Sequence, residues 1–317
     1  MRIIESNATF TPQTEFTIDG IWKHIERCGR ICYKSEDRIV KDSHIRFVDM
    51  IVKRGHLAVL EHGTVYLTIP YSEEGKAFIK IFDDNPYSRV TYSGADSNCA
   101  YITTNYRVVI ENGYTTAMKW ICNPTEHHAK RITATITCDR GVSHELVRHR
   151  VFSFCQESTR YCNYSADKFG KHVTFIKPTW TERGQQETFN IAGIDFISEE
   201  KTLTEFLHIV ENAYHKLIKS GQTPQEARAI LPSCTKTDIA MTGFVDQWEA
   251  FFKLRCSPNA HPDMQKVAKQ LEGEYNIMNR GEIQGDLTIT SEAQQLLEEQ
   301  VEKVNEILDD GNQISKE

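Results

Sequence analysis

The chain has 317 residues, of which 39% are hydrophobic and 26% charged, with a formal net charge of −7. That length buries a substantial core, as one large domain or two smaller ones, without covalent staples, and the acidic balance excludes a broad basic surface for tracking a nucleic-acid polymer. The nine cysteines are odd in number and show no Cys-x-x-Cys spacing, which argues for reduced thiols over a disulfide framework or zinc site, and the lack of a signal-peptide pattern or bilayer-length apolar run predicts a cytoplasmic protein without membrane contact.

In chain order, Ile21, Ile25, Cys28 and Cys32 share one face of a helix over residues 17–34, and Ile45, Val48, Ile51 and Val52 repeat the pattern before Gly55, giving an N-terminal helical pair. GTVYLTIP, residues 63–70, is β-branched and aromatic and closes on Pro70 as a strand. Between 71 and 126, EEGK, DDNP and SGADSN read as turns and AYITTNYRVVI, 100–110, as a strand stopped by ENG, so the stretch reads as an insertion with one hairpin of its own. RITATITC, 131–138, alternates Ile132, Ala134, Ile136 and Cys138 against Arg and Thr, the period of a half-buried strand. Gly141 and Ser143 then open a short helix, SHELVRHR, whose end carries Arg148, His149 and Arg150.

HVTFIKP, 172–178, is a candidate strand. Residues 202–221 form the clearest helix, with Leu203, Phe206, Val210, Ala213 and Leu217 in one stripe and Gly221 as the stop. Thr223 and Glu226 make a capping box around Pro224, and Pro232 terminates that segment. A helix is expected over 237–255 with Phe244, Trp248, Phe251 and Phe252 turned inward, and another over 291–309 with Leu297, Val301, Val304 and Leu308 at coiled-coil-like spacing.

The chemistry-bearing residues gather in RHRVFSFCQESTRYC, 148–162. Guanidinium forks bind phosphates and carboxylates through paired, charge-assisted hydrogen bonds, and a Ser-Thr-Arg turn at 158–160 adds a hydroxyl, backbone N–H groups and a further cation. Such a set suits a phosphorylated small molecule; a helix end whose Arg residues answer its dipole is the plainer alternative. Arg228 in EARAILP and Arg255 closing FFKLR sit in apolar or aromatic company, which in an acidic protein favours an anionic substrate over stems that merely cover apolar surface. There is no Gly-x-Ser-x-Gly elbow, no activated cysteine, no metal-ligand spacing among the histidines, no Gly-x-Gly-x-x-Gly and no P-loop.

Arg-His-Arg followed by seven residues and Ser, here Arg148 to Ser158, is the signature spacing of the flavin-dependent thymidylate synthases, and the chain resembles that family. GHLAVLEH (55–62), EARAILP (226–232) and FFKLR (251–255) agree with further family segments in the same order, so the resemblance spans about residues 15–275 without the insertion. It implies an α+β fold with a central, mainly antiparallel sheet flanked by helices, residues 1–280 forming the catalytic domain and 281–317 a helical tail. It implies reductive methylation of dUMP to dTMP without a cysteine nucleophile, with methylenetetrahydrofolate as carbon donor and FAD reduced by NADPH. A homotetramer with active sites shared between subunits goes with it.

Carried over position by position, the resemblance places His56, Arg148, His149, Arg150 and Gln156 against FAD. It places Glu145, Arg148, Gln156, Glu157, Ser158, Thr159, Arg160, Arg228 and Arg255 around the nucleotide, with Arg228 reaching in from a neighbouring subunit. Arg255 is the implied catalytic residue, stabilising negative charge on the uracil ring so that C5 becomes a better nucleophile. Phe244, Asp246 and Ala250 stand where family members carry polar FAD contacts, and Ala58 replaces a small hydroxyl residue; Asn105 or Arg107 of the insertion is the expected substitute. Two other readings share these residues: a flavin- and folate-dependent hydroxymethylase of pyrimidine nucleotides, and a nucleotide-binding homologue without catalysis.

Overall fold

The computed structural model describes residues 1–92, 98–183, 189–191, 194–196 and 199–279. In chain order the elements are β1 (Arg2–Ile4), β2 (Asn7–Phe10), α1 (Ile18–Tyr33), α2 (Ser43–Lys53), β3 (Thr64–Pro70), α3 (Glu73–Asp83), β4 (Arg89–Tyr92), β5 (Cys99–Asn105), α4 (Tyr106–Glu111), β6 (Arg131–Asp139), α5 (Arg140–Leu146), β7 (Ser153–Gln156), β8 (Thr174–Ile176), β9 (Phe189–Ile191), β10 (Ile194–Phe196), α6 (Glu199–Lys219), α7 (Pro224–Ala227), β11 (Lys236–Phe244), α8 (Val245–Arg255) and α9 (Pro262–Asn279). Strands β2, β6, β11 and β7 form a central antiparallel sheet in that order, and β3, β5 and β4 a second one.

The central sheet has two unlike faces, because side chains alternate along a strand. Ala134, Ile136 and Cys138 of β6 and Ile239 and Met241 of β11 join Trp248, Phe251 and Phe252 of α8 and Met264, Val267 and Leu271 of α9 in one core. The opposite face carries hydroxyls: Thr133 meets His24 of α1 at 2.9 Å and Thr242 at 2.7 Å, and Thr242 meets His62 at 2.7 Å. Helix α1 covers that face with Ile18, Ile21, Ile25 and Cys28, which pack with α2 and β3 in a second core. Gly243 is required where it stands, since a Cβ there would lie 2.3 Å from the Phe152 ring.

Several elements differ from the sequence reading. The helix expected from 237 is strand β11 up to Phe244, and only then α8; both faces of this strand are buried, so the alternation that marks a half-exposed strand is missing. Glu73–Asp83 is a helix, capped by Ser72 accepting from Gly75 N at 3.1 Å, where turns were expected. The strand expected over 100–110 ends at Asn105, whose side chain accepts from Val108 N at 3.1 Å and starts α4. Helix α5 begins at Arg140 and stops at Leu146, so Arg148–Arg150 lie just beyond it. In α2 the inner face is His44, Phe47, Val48 and Ile51, with Ile45 exposed, and in α6 Phe206 is exposed while Leu207, Val210 and Tyr214 are buried. The helix expected over 291–309 and the tail 281–317 lie outside the described residues.

The buried imidazoles of the hydroxyl-bearing face set a pH dependence. Burial, then the Arg27 and Arg131 charges, pushes His24 down to about 3, and burial, then His24 and Arg131, pushes His62 down to about 3. Both stay neutral in the fold while the unfolded chain protonates its imidazoles at the ordinary 6.5. Stability is therefore complete above that value and falls as pH drops towards 3, by up to about 1.4 kcal/mol per pH unit for each imidazole. Urea unfolding midpoints should fall between pH 7 and pH 5, with a shallower slope in His62→Gln; a wild-type midpoint that does not move would count against this account.

Candidate active site

Two clusters of charged side chains form at one end of the central sheet, where β6 and β7 finish and β11 begins, since Lys236 pairs with Asp139 and Ile239 with Gln156. The first stands on α5 and α8. Asp139 accepts from Val142 N at 2.8 Å and so starts α5, while Gln247 accepts from Phe244 N at 2.8 Å and starts α8. The two helices bring Glu145 and Arg255 together: Arg255 donates through Nη1 to Glu145 Oε2 at 2.6 Å and through Nε to His149 Nε2 at 2.9 Å.

His149 is held by the aromatic core, its ring edge-on to Phe251 at 5.1 Å. Burial first, then the charges of Arg255 and Arg148, pushes it down to about 4. A neutral ring is what the Arg255 bond needs, because Nε2 must keep its lone pair to accept. Arg148 and Arg150 on either side are exposed and make no side-chain hydrogen bond or ion pair among the described residues. Gln156 turns to this side too, donating to Ser143 of α5 at 2.9 Å and Thr237 at 3.2 Å. Glu145 also lines a cavity of about 260 Å³ with Asp139, Trp180, His261 and Asp263.

The second cluster follows β7 and is anchored to α1. Ser158 N donates to Cys32 O at 3.1 Å, Arg160 N to Ser158 Oγ at 3.3 Å, and Tyr161 N and Cys162 N to Ser158 O. Arg228 donates to Thr159 Oγ1 at 3.2 Å, and Arg160 Nε to Gln225 Oε1 at 2.9 Å. Arg228, expected from a neighbouring subunit, thus meets the turn of its own chain. The capping box at Thr223 is formed, with Glu226 accepting from Thr223 N at 2.8 Å, and it sets α7 so that Arg228 follows at its end.

The expected residues therefore divide. Arg148, His149, Arg150, Glu145, Gln156 and Arg255 gather in the first cluster; Ser158, Thr159, Arg160 and Arg228 gather in the second. His56 belongs with the second: its Nδ1 meets Tyr33 OH at 3.1 Å, and the Tyr33 ring lies 5.8 Å from that of Tyr161. Glu157 is not on the open side of the turn. Its side chain is 1% exposed and accepts from Lys236 at 2.7 Å, because the residue next to Gln156 on an alternating strand points to the opposite face. Asn105, one of the two expected substitutes, caps α4, and Arg107, the other, is paired with Glu61 and Glu111 at 2.7 and 2.8 Å. Phe244 and Asp246 are covered from β4 instead: Arg89 donates to both Asp246 oxygens at 2.6 and 2.9 Å and lies 3.9 Å from the Phe244 ring centre.

The thiols of Cys28, Cys122, Cys138, Cys155, Cys234 and Cys256 are all pushed up, with burial the first cause in each but Cys155. The Cys155 thiol donates to the Cys32 sulfur, which raises Cys155 and lowers Cys32 as a pair, and burial pushes Cys28 up to about 12. Sequence reasoning missed Lys34, Lys236 and Asp238, which flank Glu157. Their signal is a Lys-x-Asp pair breaking an otherwise apolar strand.

Fold and clusters together define a mixed α/β protein that concentrates guanidinium groups at one end of an antiparallel sheet. The family model described as "Thymidylate synthase complementing protein" matches residues 101–276, more than half of the chain, and the chain belongs to that family. The match begins inside the stretch read as an insertion. The chain is 29% identical over 197 residues to the flavin-dependent thymidylate synthase of Corynebacterium efficiens, covering 61% of this chain and 69% of that protein. It is 32% identical over 133 residues to that of Corynebacterium aurimucosum, covering 41% and 51%. Among solved structures it is similar to the UMP/dUMP methylase PolB from Streptomyces cacaoi bound with 5-Br dUMP, with a TM-score of 0.40 and 15% identity over 87% of this chain and 92% of that one. Among the described residues no helix is long and apolar enough to cross a membrane.

The Glu145–Arg255 pair, half withdrawn from water, should carry measurable stability. Glu145→Ala leaves the guanidinium with His149 and a backbone carbonyl only, and is expected to cost about 1–3 kcal/mol. Glu145→Gln keeps a neutral hydrogen bond and should cost less than half of that. Urea midpoints of the two variants check this, and an unshifted Glu145→Ala would show the pair to be incidental.

Proposed function

We propose that the chain catalyses the reductive methylation of dUMP to dTMP, with methylenetetrahydrofolate as carbon donor and FAD reduced by NADPH. The observation that carries this reading is Arg255, held by Glu145 and a neutral His149 beside two guanidiniums that have no side-chain partner among the described residues. Uracil C5 must gain carbanion character to attack a methylene carbon. A fixed guanidinium at the N3 and O4 edge stabilises that charge without moving a proton, and Arg255 is the only one of the expected arginines oriented by both a carboxylate and an imidazole.

The residues present fit FAD. Arg148 and Arg150 are exposed and suit a pyrophosphate, and His149 between them offers an uncharged ring to a flavin. When bound, the reduced flavin supplies the hydride equivalent that turns the transferred carbon into a methyl group. Arg160 and Arg228, each engaged by a neutral partner among the described residues, are suited to hold the nucleotide phosphate against Ser158 and Thr159.

The two clusters lie on opposite faces of the sheet, with His56 on the far side from Arg148–Arg150. A homotetramer that sets one cluster of each copy against the other cluster of its neighbour would unite them in one site, and that is the assembly this reading takes. Val147, Val151 and Leu254, exposed by 39%, 64% and 58% around the first cluster, offer the apolar rim such a contact needs.

Anaerobic incubation with dUMP, methylenetetrahydrofolate, FAD and NADPH should yield dTMP by mass spectrometry. A hydroxymethylated nucleotide, or NADPH oxidation without a methylated product, would instead support another pyrimidine chemistry, and failure to take up FAD would support a non-catalytic homologue. Arg255→Ala should lower turnover by at least about 100-fold with FAD uptake largely retained; loss of the flavin absorption would reverse the division of roles.

A further inference from the structure

We infer that Lys34, Lys236, Asp238 and Glu157 form an ionic ladder that positions the Ser158–Arg160 turn for anion binding, an inference that rests on the assignment of that turn to the substrate phosphate. Lys236 Nζ donates to Glu157 Oε2 at 2.7 Å and to the Asp238 carboxylate. Lys34 Nζ donates to the same Asp238 oxygen and to Glu36 at 3.2 Å. Thr137 Oγ1 donates to the other Asp238 oxygen at 2.7 Å, and Tyr164 OH to Glu157 Oε1 at 3.3 Å. The backbone closes the frame: Glu157 N donates to Asp238 O at 2.7 Å, and the next N–H, that of Ser158, to Cys32 O at 3.1 Å, two residues before Lys34.

Three observations separate this arrangement from incidental surface pairing. The side chains of Glu157, Asp238 and Lys236 are 1%, 10% and 13% exposed, and each ion withdrawn from water costs several kcal/mol that an apolar packing would not. Lys34 ends α1 in the left-handed region, with φ 48° and ψ 55°, where glycine is favoured. A lysine there implies use of its side chain. Finally, the ladder cations are answered by carboxylates, whereas Arg160 and Arg228 meet neutral partners among the described residues. The lysines therefore hold the turn, and the arginines are left for the anion.

Binding of dUMP and of inorganic phosphate to the FAD-loaded protein, measured by calorimetry, tests this. Lys236→Met should weaken both by about tenfold or more, the loss of one charged hydrogen bond's worth of order, with FAD uptake unchanged and Lys236→Arg recovering most of the affinity. A folded Lys236→Met that binds phosphate as the wild type does would overturn the inference, showing the ladder to serve stability alone. Should Lys236→Met fail to fold, Lys34→Gly, which the backbone tolerates, is expected to show the same loss at smaller size, and unchanged phosphate affinity there would equally overturn it. A wild type that binds phosphate but not dUMP, with phosphate binding still lost in Lys236→Met, would sink the nucleotide assignment and leave the ladder standing.

Discussion

The pairing of β11 with β6 over their full nine residues, from Lys236 opposite Asp139 to Phe244 opposite Arg131, is the constraint on which the rest depends. With a side-chain period of two, this register sends Ile239 and Met241 to the aromatic core and Asp238, Ala240 and Thr242 to α1. A slip of one residue would place Asp238 under Trp248 and Phe251 and Met241 beside His24. The first strands a carboxylate in an apolar core and the second takes the Thr242 hydroxyl away from the buried Thr133 and His62, so the register is held from both faces. It also fixes the ends of the strands, and those ends carry the chemistry: β6 hands over to α5 with Glu145, and β11 begins with the lysine and aspartate of the ladder.

The end of the sheet then supports unlike clusters on its two sides because the covering helices differ. Helix α8 returns along the apolar face and delivers Arg255 at its last residue, where a cation also suits the helix dipole. Helix α1 runs under the hydroxyl face and ends at Lys34, whose backbone turn aims an ammonium at Asp238. Gln156 and Glu157 are adjacent in sequence yet belong one to each side, so β7 acts as the divider between a face suited to a planar ring system and a turn suited to phosphate.

How far this was legible in the sequence varied with the kind of burial. Helix α1 and strand β6 were legible because each buries one face and leaves a periodic pattern, whereas strand β3, buried on both faces, was legible from its β-branched and aromatic run closing on Pro70, and the capping box at Thr223 from its residue types. Strand β11 was not: Ile239, Ala240, Met241 and Thr242 are buried on both faces, and the aromatic run that follows suggested a helix beginning too early. Phe206 and Ile45 misled for a related reason, since an apolar residue one step off the true stripe looks continuous with it when exposure is unknown. Of the site, the arginines and the Ser158 turn were legible from spacing. Their partners were not, because the ion pair of Glu145 with Arg255 and that of Lys236 with Glu157 join residues 110 and 79 positions apart, which no local pattern records.

The net charge of −7 takes on a different meaning once the cations are sorted by what answers them. Lys34, Lys236, Arg30, Arg89 and Arg107 are each matched to a carboxylate by direct bonds, and their fields beyond the pair are short. Arg148, Arg150, Arg160 and Arg228 form no ion pair among the described residues. At that end of the sheet these four leave positive charge unanswered by a carboxylate in an acidic protein, which attracts an approaching anion. Arg255 lies between these classes, bonded to Glu145 but with its Nε on a neutral imidazole. In the reaction proposed above, a ring edge that gains negative charge would compete with that carboxylate for the guanidinium better than one that stays neutral, and it is such a difference between the two states that accelerates a reaction.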